Sequence, residues 1–144
     1  MRYLLSLSAI VLFSCTSMKK QTNADTGAGN PLAGTTWTMS HIPGFELENT
    51  HKPVTLSFAD TTDRMGGNTG CNGFGGHYKV SGTTLKMEKI ISTKMACMPG
   101  MQTENKVMNA MMTADHYAIT GDKLTLKQGE KVLAEYERSK KEQK

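Results

Sequence analysis

The chain has little of what most function classes need. Aromatic residues make up 6% of it, with one tryptophan, Trp37, and there are three cysteines and four prolines. No H-E-x-x-H, no paired-carboxylate arrangement and no G-x-S-x-G nucleophile turn is present, and His41, His51, His77 and His116 are far apart. Metalloprotease and serine-hydrolase chemistry therefore have no recognisable seat, and the expectation is a protein that is not an enzyme. The glycine-dense stretch 66–76 is not followed by Gly-Lys-Ser/Thr or by a helical pattern, and GxGxxG spacing is missing, which removes a phosphate cradle. No cofactor is expected. Seventeen basic against thirteen acidic residues leave a net charge of +4. That excess is small, and its lysines and arginines are scattered, several of them in the tail Arg138–Lys144 beside acids, so no nucleic-acid partner is expected.

Long apolar runs are missing too. The longest, Leu4 to Phe13, is broken by Ser6 and Ser8 and is too short to span a bilayer as a helix. With Arg2 ahead of it, residues 1–14 read as a secretion signal. Leu12-Phe13-Ser14-Cys15 resembles a bacterial lipobox, in which the cysteine is lipidated and becomes the new N-terminus; an ordinary signal peptide with a free Cys15 is the alternative. Two or more acyl chains anchor a protein stably because each buried methylene contributes roughly 0.8 kcal/mol. The expected partner is thus the membrane, reached through Cys15. No aspartate follows Cys15, which by resemblance to Gram-negative sorting rules favours the outer membrane, facing the periplasm. Residues 15–31 lack apolar periodicity and read as the lipidated cysteine with a flexible tether. Residues 32–138 form one small domain, and 139–144 a solvated tail.

Within that domain the dominant period is two. Val54, Leu56 and Phe58 alternate with polar residues, as do Leu85 and Met87, and Leu124 and Leu126, the pattern of half-buried strands. Ser81-Gly82, Gly121-Asp122 and Gln128-Gly129-Glu130 supply hairpin turns between such runs. From Thr103 to Ala114 the period changes: Val107, Met108, Met111 and Met112 recur at helical spacing after Pro99-Gly100, with Thr103 as a cap. The expected fold is mainly β, a small antiparallel barrel or curled meander with one amphipathic helix across an open end or face. Glycines 66, 67, 70, 73, 75 and 76 read as backbone shape, letting strands bend where a small barrel turns its corners.

Leu32-Ala33-Gly34-Thr35-Thr36-Trp37, the loop Gly70-Cys71-Asn72-Gly73-Phe74-Gly75-Gly76, the segment Thr93-Lys94-Met95-Ala96-Cys97 and the closing Leu124-Thr125-Leu126 occur in that order. As a set they resemble the META domain of bacterial HslJ-like lipoproteins over roughly residues 32–138. The resemblance implies a small β-barrel in the cell envelope, associated with heat shock and binding a protein or small ligand. On it, Trp37, Gly70, Asn72 and Gly73 are motif residues.

Once Cys15 is assigned to lipid, Cys71 and Cys97 remain as an even pair in an oxidising compartment, and a disulfide between them is expected. A catalytic redox pair would sit closer in sequence. Eleven methionines are present, six of them between residues 95 and 112. Thioethers are soft ligands, so Met98 and Met101 with His77 and His116 form an alternative copper(I) site. The other reading places Met108, Met111 and Met112 on the core face of the helix, as gap-filling side chains, and Met95 and Ala96 in a strand leading to Cys97. Trp37 is expected in the core near the start of the first strand.

Overall fold

The structure, a computed structural model, describes residues 30–140. Residues 1–29, on which the expected signal, the expected lipidated Cys15 and most of the expected tether fall, and residues 141–144 lie outside them. Eight strands and one helix follow in the order β1 Thr36–His41, β2 Val54–Phe58, β3 Arg64–Thr69, β4 Gly73–Ser81, β5 Thr84–Ser92, α1 Met101–Thr113, β6 His116–Thr120, β7 Lys123–Gln128 and β8 Lys131–Arg138. Each strand pairs antiparallel with its neighbours in sequence, and β8 returns to β1, closing a barrel. The two-residue hairpins fall where Gly82, Gly121 and Gly129 supply φ of 54–59°, the left-handed conformation that such turns require.

Alternation decides which side chains enter the barrel. Val54, Leu56 and Phe58 on β2, Leu85 and Met87 on β5, Leu124 and Leu126 on β7, and Ala134 and Tyr136 on β8 are buried, while their neighbours face outward. Trp37, the second residue of β1, is fully buried; its Nε1 donates to Thr35 Oγ1 at 2.7 Å, and the Arg138 guanidinium lies 4.3 Å from the ring centre. Phe58 and Tyr78 meet edge to face with centroids 4.8 Å apart, a favoured aromatic geometry.

The ring is narrowest between β5 and β6, where Thr84↔His116 is the ladder pair. Helix α1 lies between these strands in sequence and touches β3, β5, β7 and β8, strands on different sides of the ring. It therefore crosses one end of the barrel and turns Val107, Ala110 and Met111 into the core.

Three expectations about this part of the chain are corrected. Of the helix methionines, Met111 is fully buried and Met108 packs partly against the core, but Met112 is 62% exposed. One helical residue turns the chain by 100°, and the step from 111 to 112 carries the side chain off the buried face. Thr103 is not the cap: α1 starts two residues earlier, and its N-cap, Gly100, has no side chain to cap it. Thr103 is instead buried inside the first turn, its N–H donating to Glu48 Oε2 and its Oγ1 accepting from Glu48 N, both at 3.0 Å. A distant loop thus supplies the partners that a local cap would have supplied. Finally, Met95 and Ala96 are not in a strand. β5 ends at Ser92, and 93–97 is an exposed segment bound to the β3–β4 turn.

Candidate functional site

The β3–β4 turn, Gly70-Cys71-Asn72, organises one end of the barrel. Gly70 has φ 98°, a conformation that disfavours side chains. A Cβ there would also stand 2.6 Å from Thr50 Cγ2. Asn68 Oδ1 accepts from Gly70 N at 2.8 Å, closing the turn. Asn72, 1% exposed, is then turned inward, and its side chain is fully used. Nδ2 donates to Met95 O at 3.0 Å and to Glu104 Oε2 at 2.8 Å. Oδ1 accepts from Met95 N at 2.8 Å and from Thr93 Oγ1 at 2.7 Å. Cys71 and Cys97 are joined by a disulfide spanning 26 residues, with Cα atoms 5.8 Å apart. One covalent bond and three hydrogen bonds from Asn72 therefore hold segment 93–97, and the fourth hydrogen bond of Asn72 ties the helix through Glu104.

Beside this turn a groove of about 370 Å³ opens on the outer wall of the barrel, lined by Gly67, Gly73, Phe74, Gly75, Ile91, Ser92 and Thr93. The register explains it. Gly75 lies opposite Gly66 on β3 and Ile91 on β5, and Gly73 lies opposite Asn68. Phe74, between them, points into the core. The floor is bare main chain, and Ile91, 76% exposed, forms an apolar wall. Thr93 N donates to Gly73 O at 3.0 Å, fixing that wall to the floor.

The glycines of this region fall into two groups. A Cβ on Gly67 would collide with the main-chain oxygen of Thr55, one on Gly76 would stand 2.9 Å from Glu88 O, and one on Gly66 would stand 2.9 Å from Phe74 O. These positions, with Gly70, admit no side chain without movement of backbone. Gly73 and Gly75 are different: a Cβ would meet Gly67 O at 3.9 Å and Met65 O at 3.8 Å respectively, ordinary contact, and neither has φ in the left-handed range. Glycine inside a strand is destabilising by roughly 0.5–1 kcal/mol relative to alanine. Gly75 borders the register shift of the β4–β5 ladder between Gly75 and His77, and glycine inside a strand goes with a bulge, a tight bend or close approach of a ligand or another backbone. For Gly66, Gly67, Gly70 and Gly76 the clash of a Cβ gives a reason of backbone shape.

The four residues of the copper alternative do not come together. Met98, 80% exposed, and Met101 flank Pro99-Gly100 at the start of α1, next to the disulfide. His116 follows the far end of that 13-residue helix, about 20 Å away at 1.5 Å per residue. His77 faces outward in the middle of β4, opposite Glu88, whereas His116 lies opposite Thr84, four residues further along β5. Each histidine is also engaged: His77 Nδ1 is 2.9 Å from Asp63 Oδ2, and His116 Nδ1 is 2.7 Å from Asp115 Oδ1. Those hydrogen bonds hold the Asp63 and Asp115 carboxyls below their ordinary value of 3.8. Glu88 is lowered likewise, first by Lys86 and then by Lys79. Burial raises the phenols of Tyr78, Tyr117 and Tyr136. None of these groups lines the groove. Among the described residues no three His, Cys, Asp or Glu side chains gather as a metal site would require.

Comparison with known proteins gives a consistent picture. A family model described as the META domain matches residues 30–141. Among solved structures, the NMR structure of a protein from Burkholderia xenovorans is 22% identical with a TM-score of 0.63, covering 86% of this chain and 100% of that one. The crystal structure of a DUF4847 family protein from Bacteroides vulgatus is 15% identical with a TM-score of 0.56, covering 78% and 97%. At these identities the likeness is one of fold. No curated protein matches.

Proposed function

Starting from the premise that the chain belongs to the META domain family, we propose that it is a non-enzymatic binding module of the cell envelope whose working surface is the glycine-floored groove. The observation that carries this reading is the pair Gly73 and Gly75, bare positions on an outer strand face where the backbone has room for a side chain. A strand that gives up packing at two outward positions, next to an exposed Ile91, presents main chain for contact. The chemistry of the lining agrees with binding: it offers peptide groups, the hydroxyl residues Ser92 and Thr93 and the apolar side chain of Ile91, with no titratable group. The sequence ahead of the domain adds the location. Lipidation at Cys15 would hold the module at the outer membrane facing the periplasm, and the tether to residue 31 would let it reach partners there. A role under stress is the one that the resemblance to HslJ-like lipoproteins implies.

Two experiments test the two halves of the proposal. Growth with an alkyne-tagged palmitate should label the protein, and Cys15→Ala should abolish the label and release the chain from membranes; a labelled Cys15→Ala variant would remove the anchor. For the groove, peptides are selected from a random displayed library on the mature chain carrying Cys15→Ala. Selected peptides should lose binding to Gly75→Val, whose Cβ and methyls would fill the floor. Equal binding to that variant, with its unfolding midpoint unchanged, would mean that the groove is not the working surface.

A further inference from the structure

Resting on the reading of the groove as a binding surface, we infer that its occupant is an aromatic side chain carried in an acidic, extended segment of another protein. The floor sets the shape. Gly66 and Gly75 face each other across β3 and β4, with Gly73 two residues along, so adjacent strands present peptide planes with no Cβ between them. A flat ring can lie against such a surface over its whole face, whereas a branched aliphatic side chain touches it at a few atoms. Glycines on a sheet surface are elsewhere covered by a cross-strand aromatic, and here no ring among the described residues covers Gly66, Gly73 or Gly75. The exposed edge of Ile91 gives the ring an apolar neighbour, and Ser92 and Thr93 place hydroxyls at the rim within reach of an indole N–H or a phenol O–H. At about 370 Å³ the groove is near the lower limit of ligand sites, the size of one large side chain with its flanking backbone.

Charge selects what surrounds the ring. The stretch Lys89-Ile90-Ile91-Ser92-Thr93-Lys94 puts a lysine on each side of the groove wall, and no acidic residue occurs between Glu88 and Glu104. Both lysines are exposed. Among the described residues the ion pairs formed by lysine use Lys79, Lys86 and Lys123, and leave Lys89 and Lys94 without a carboxylate. Two unengaged cations flanking an uncharged slot match acidic residues flanking an uncharged ring. A second copy of this chain does not meet the description. Every aromatic side chain among the described residues is buried or packed against the core.

The test uses the oxidised mature chain with Cys15→Ala and three pentapeptides with blocked ends: Asp-Glu-Trp-Glu-Asp, the same peptide with leucine for tryptophan, and the same with lysine for each acid. Amide resonances are followed by NMR titration. The tryptophan peptide should shift Gly73, Gly75, Ile91 and Thr93, and bind about tenfold more tightly than either control. Its affinity should fall with added salt, as exposed charge pairs do, and should fall again in the double variant Lys89→Glu, Lys94→Glu at an unchanged urea midpoint. Equal binding of the leucine peptide removes the aromatic half of the inference, and equal binding of the lysine peptide removes the acidic half. If none of the three shifts a groove amide while library-selected peptides still need Gly75, the groove remains a binding surface and this assignment of its occupant is wrong.

Discussion

Replacing Asn72 by alanine should remove more stability than any other single change at the barrel end. The side chain makes four hydrogen bonds of 2.7–3.0 Å in a site where it is 1% exposed. Three are to neutral groups, each contributing about 1 kcal/mol net, and the one to the Glu104 carboxylate about 1.5–3 kcal/mol. The loss should therefore be about 4.5–6 kcal/mol, a large share of the roughly 5–15 kcal/mol that holds a domain of this kind. Glu104 sharpens the test because it is itself buried, and losing Asn72 strands its carboxylate. Urea unfolding of the oxidised chain should show the midpoint falling in Asn72→Ala with an unchanged slope. In a Glu104→Ala background the same substitution should cost about 1.5–3 kcal/mol less, the coupling expected for a charged hydrogen bond. Additive effects, or a loss below about 1.5 kcal/mol for Asn72→Ala alone, would refute the view that this side chain organises the turn, the 93–97 segment and the helix together.

Tyr136→Phe should stabilise the protein by about 1–2 kcal/mol, because the Tyr136 hydroxyl is buried without a hydrogen-bond partner among the described residues; a lower urea midpoint would contradict this. The same burial raises its pKa from 10.0, so its contribution is full below about pH 10 and is lost as pH rises and the unfolded phenol ionises first; the variant should lose less stability in alkali. Gly70→Ala should destabilise by about 2–4 kcal/mol, from φ 98° and the contact with Thr50, read as a fall in the thermal midpoint. Asp63 and Asp115 have lowered pKa values in the fold, so their contribution is present above the ordinary 3.8 and disappears as pH falls through the lowered values. Asp63→Asn and Asp115→Asn should each flatten the acid limb of a plot of urea midpoint against pH.

Much of the barrel is legible in the sequence because a half-buried strand must alternate. Val54-Thr-Leu-Ser-Phe58 can only be read as a strand with one wet face, and Gly82, Gly121 and Gly129 mark the hairpins because few other residues accept their φ. β3 is hard to read for the opposite reason: Arg64-Met-Gly-Gly-Asn-Thr69 has one apolar side chain, and its place in the sheet is set by pairing with β2 and β4. Helix α1 is legible from its spacing, but its start is not, since the partner of Thr103 is Glu48, 55 residues away. Long-range partners also decide the site. Asn72 is recognisable as a motif residue, yet nothing local shows that Met95, Thr93 and Glu104 converge on it. The copper alternative fails on the same ground: methionines close in sequence to His116 are separated from it by the length of a rigid helix.

The glycine-rich motif combines two demands that a sequence cannot separate. Gly66, Gly67, Gly70 and Gly76 are dictated from within, each by a backbone oxygen or a side chain that a Cβ would strike. Gly73 and Gly75 alternate with Phe74 on the same strand, so one face of three successive residues fills the core and the other is left bare. The disulfide and Asn72 then acquire a meaning beyond stability. A cross-link restricts chiefly the unfolded chain, by about 3 kcal/mol for a loop of this length, but does not by itself fix where segment 93–97 lies in the native state. The hydrogen bonds do that: Asn72 holds Thr93 and Met95, and Thr93 N holds Gly73 O. The wall of the groove is thereby built from the same contacts that close the turn, and its distance from the floor is set before any partner arrives. On the proposed binding role, a partner would meet a formed surface and lose less entropy in ordering it, the advantage of a binding face at a corner of the barrel tied by the disulfide and by Asn72.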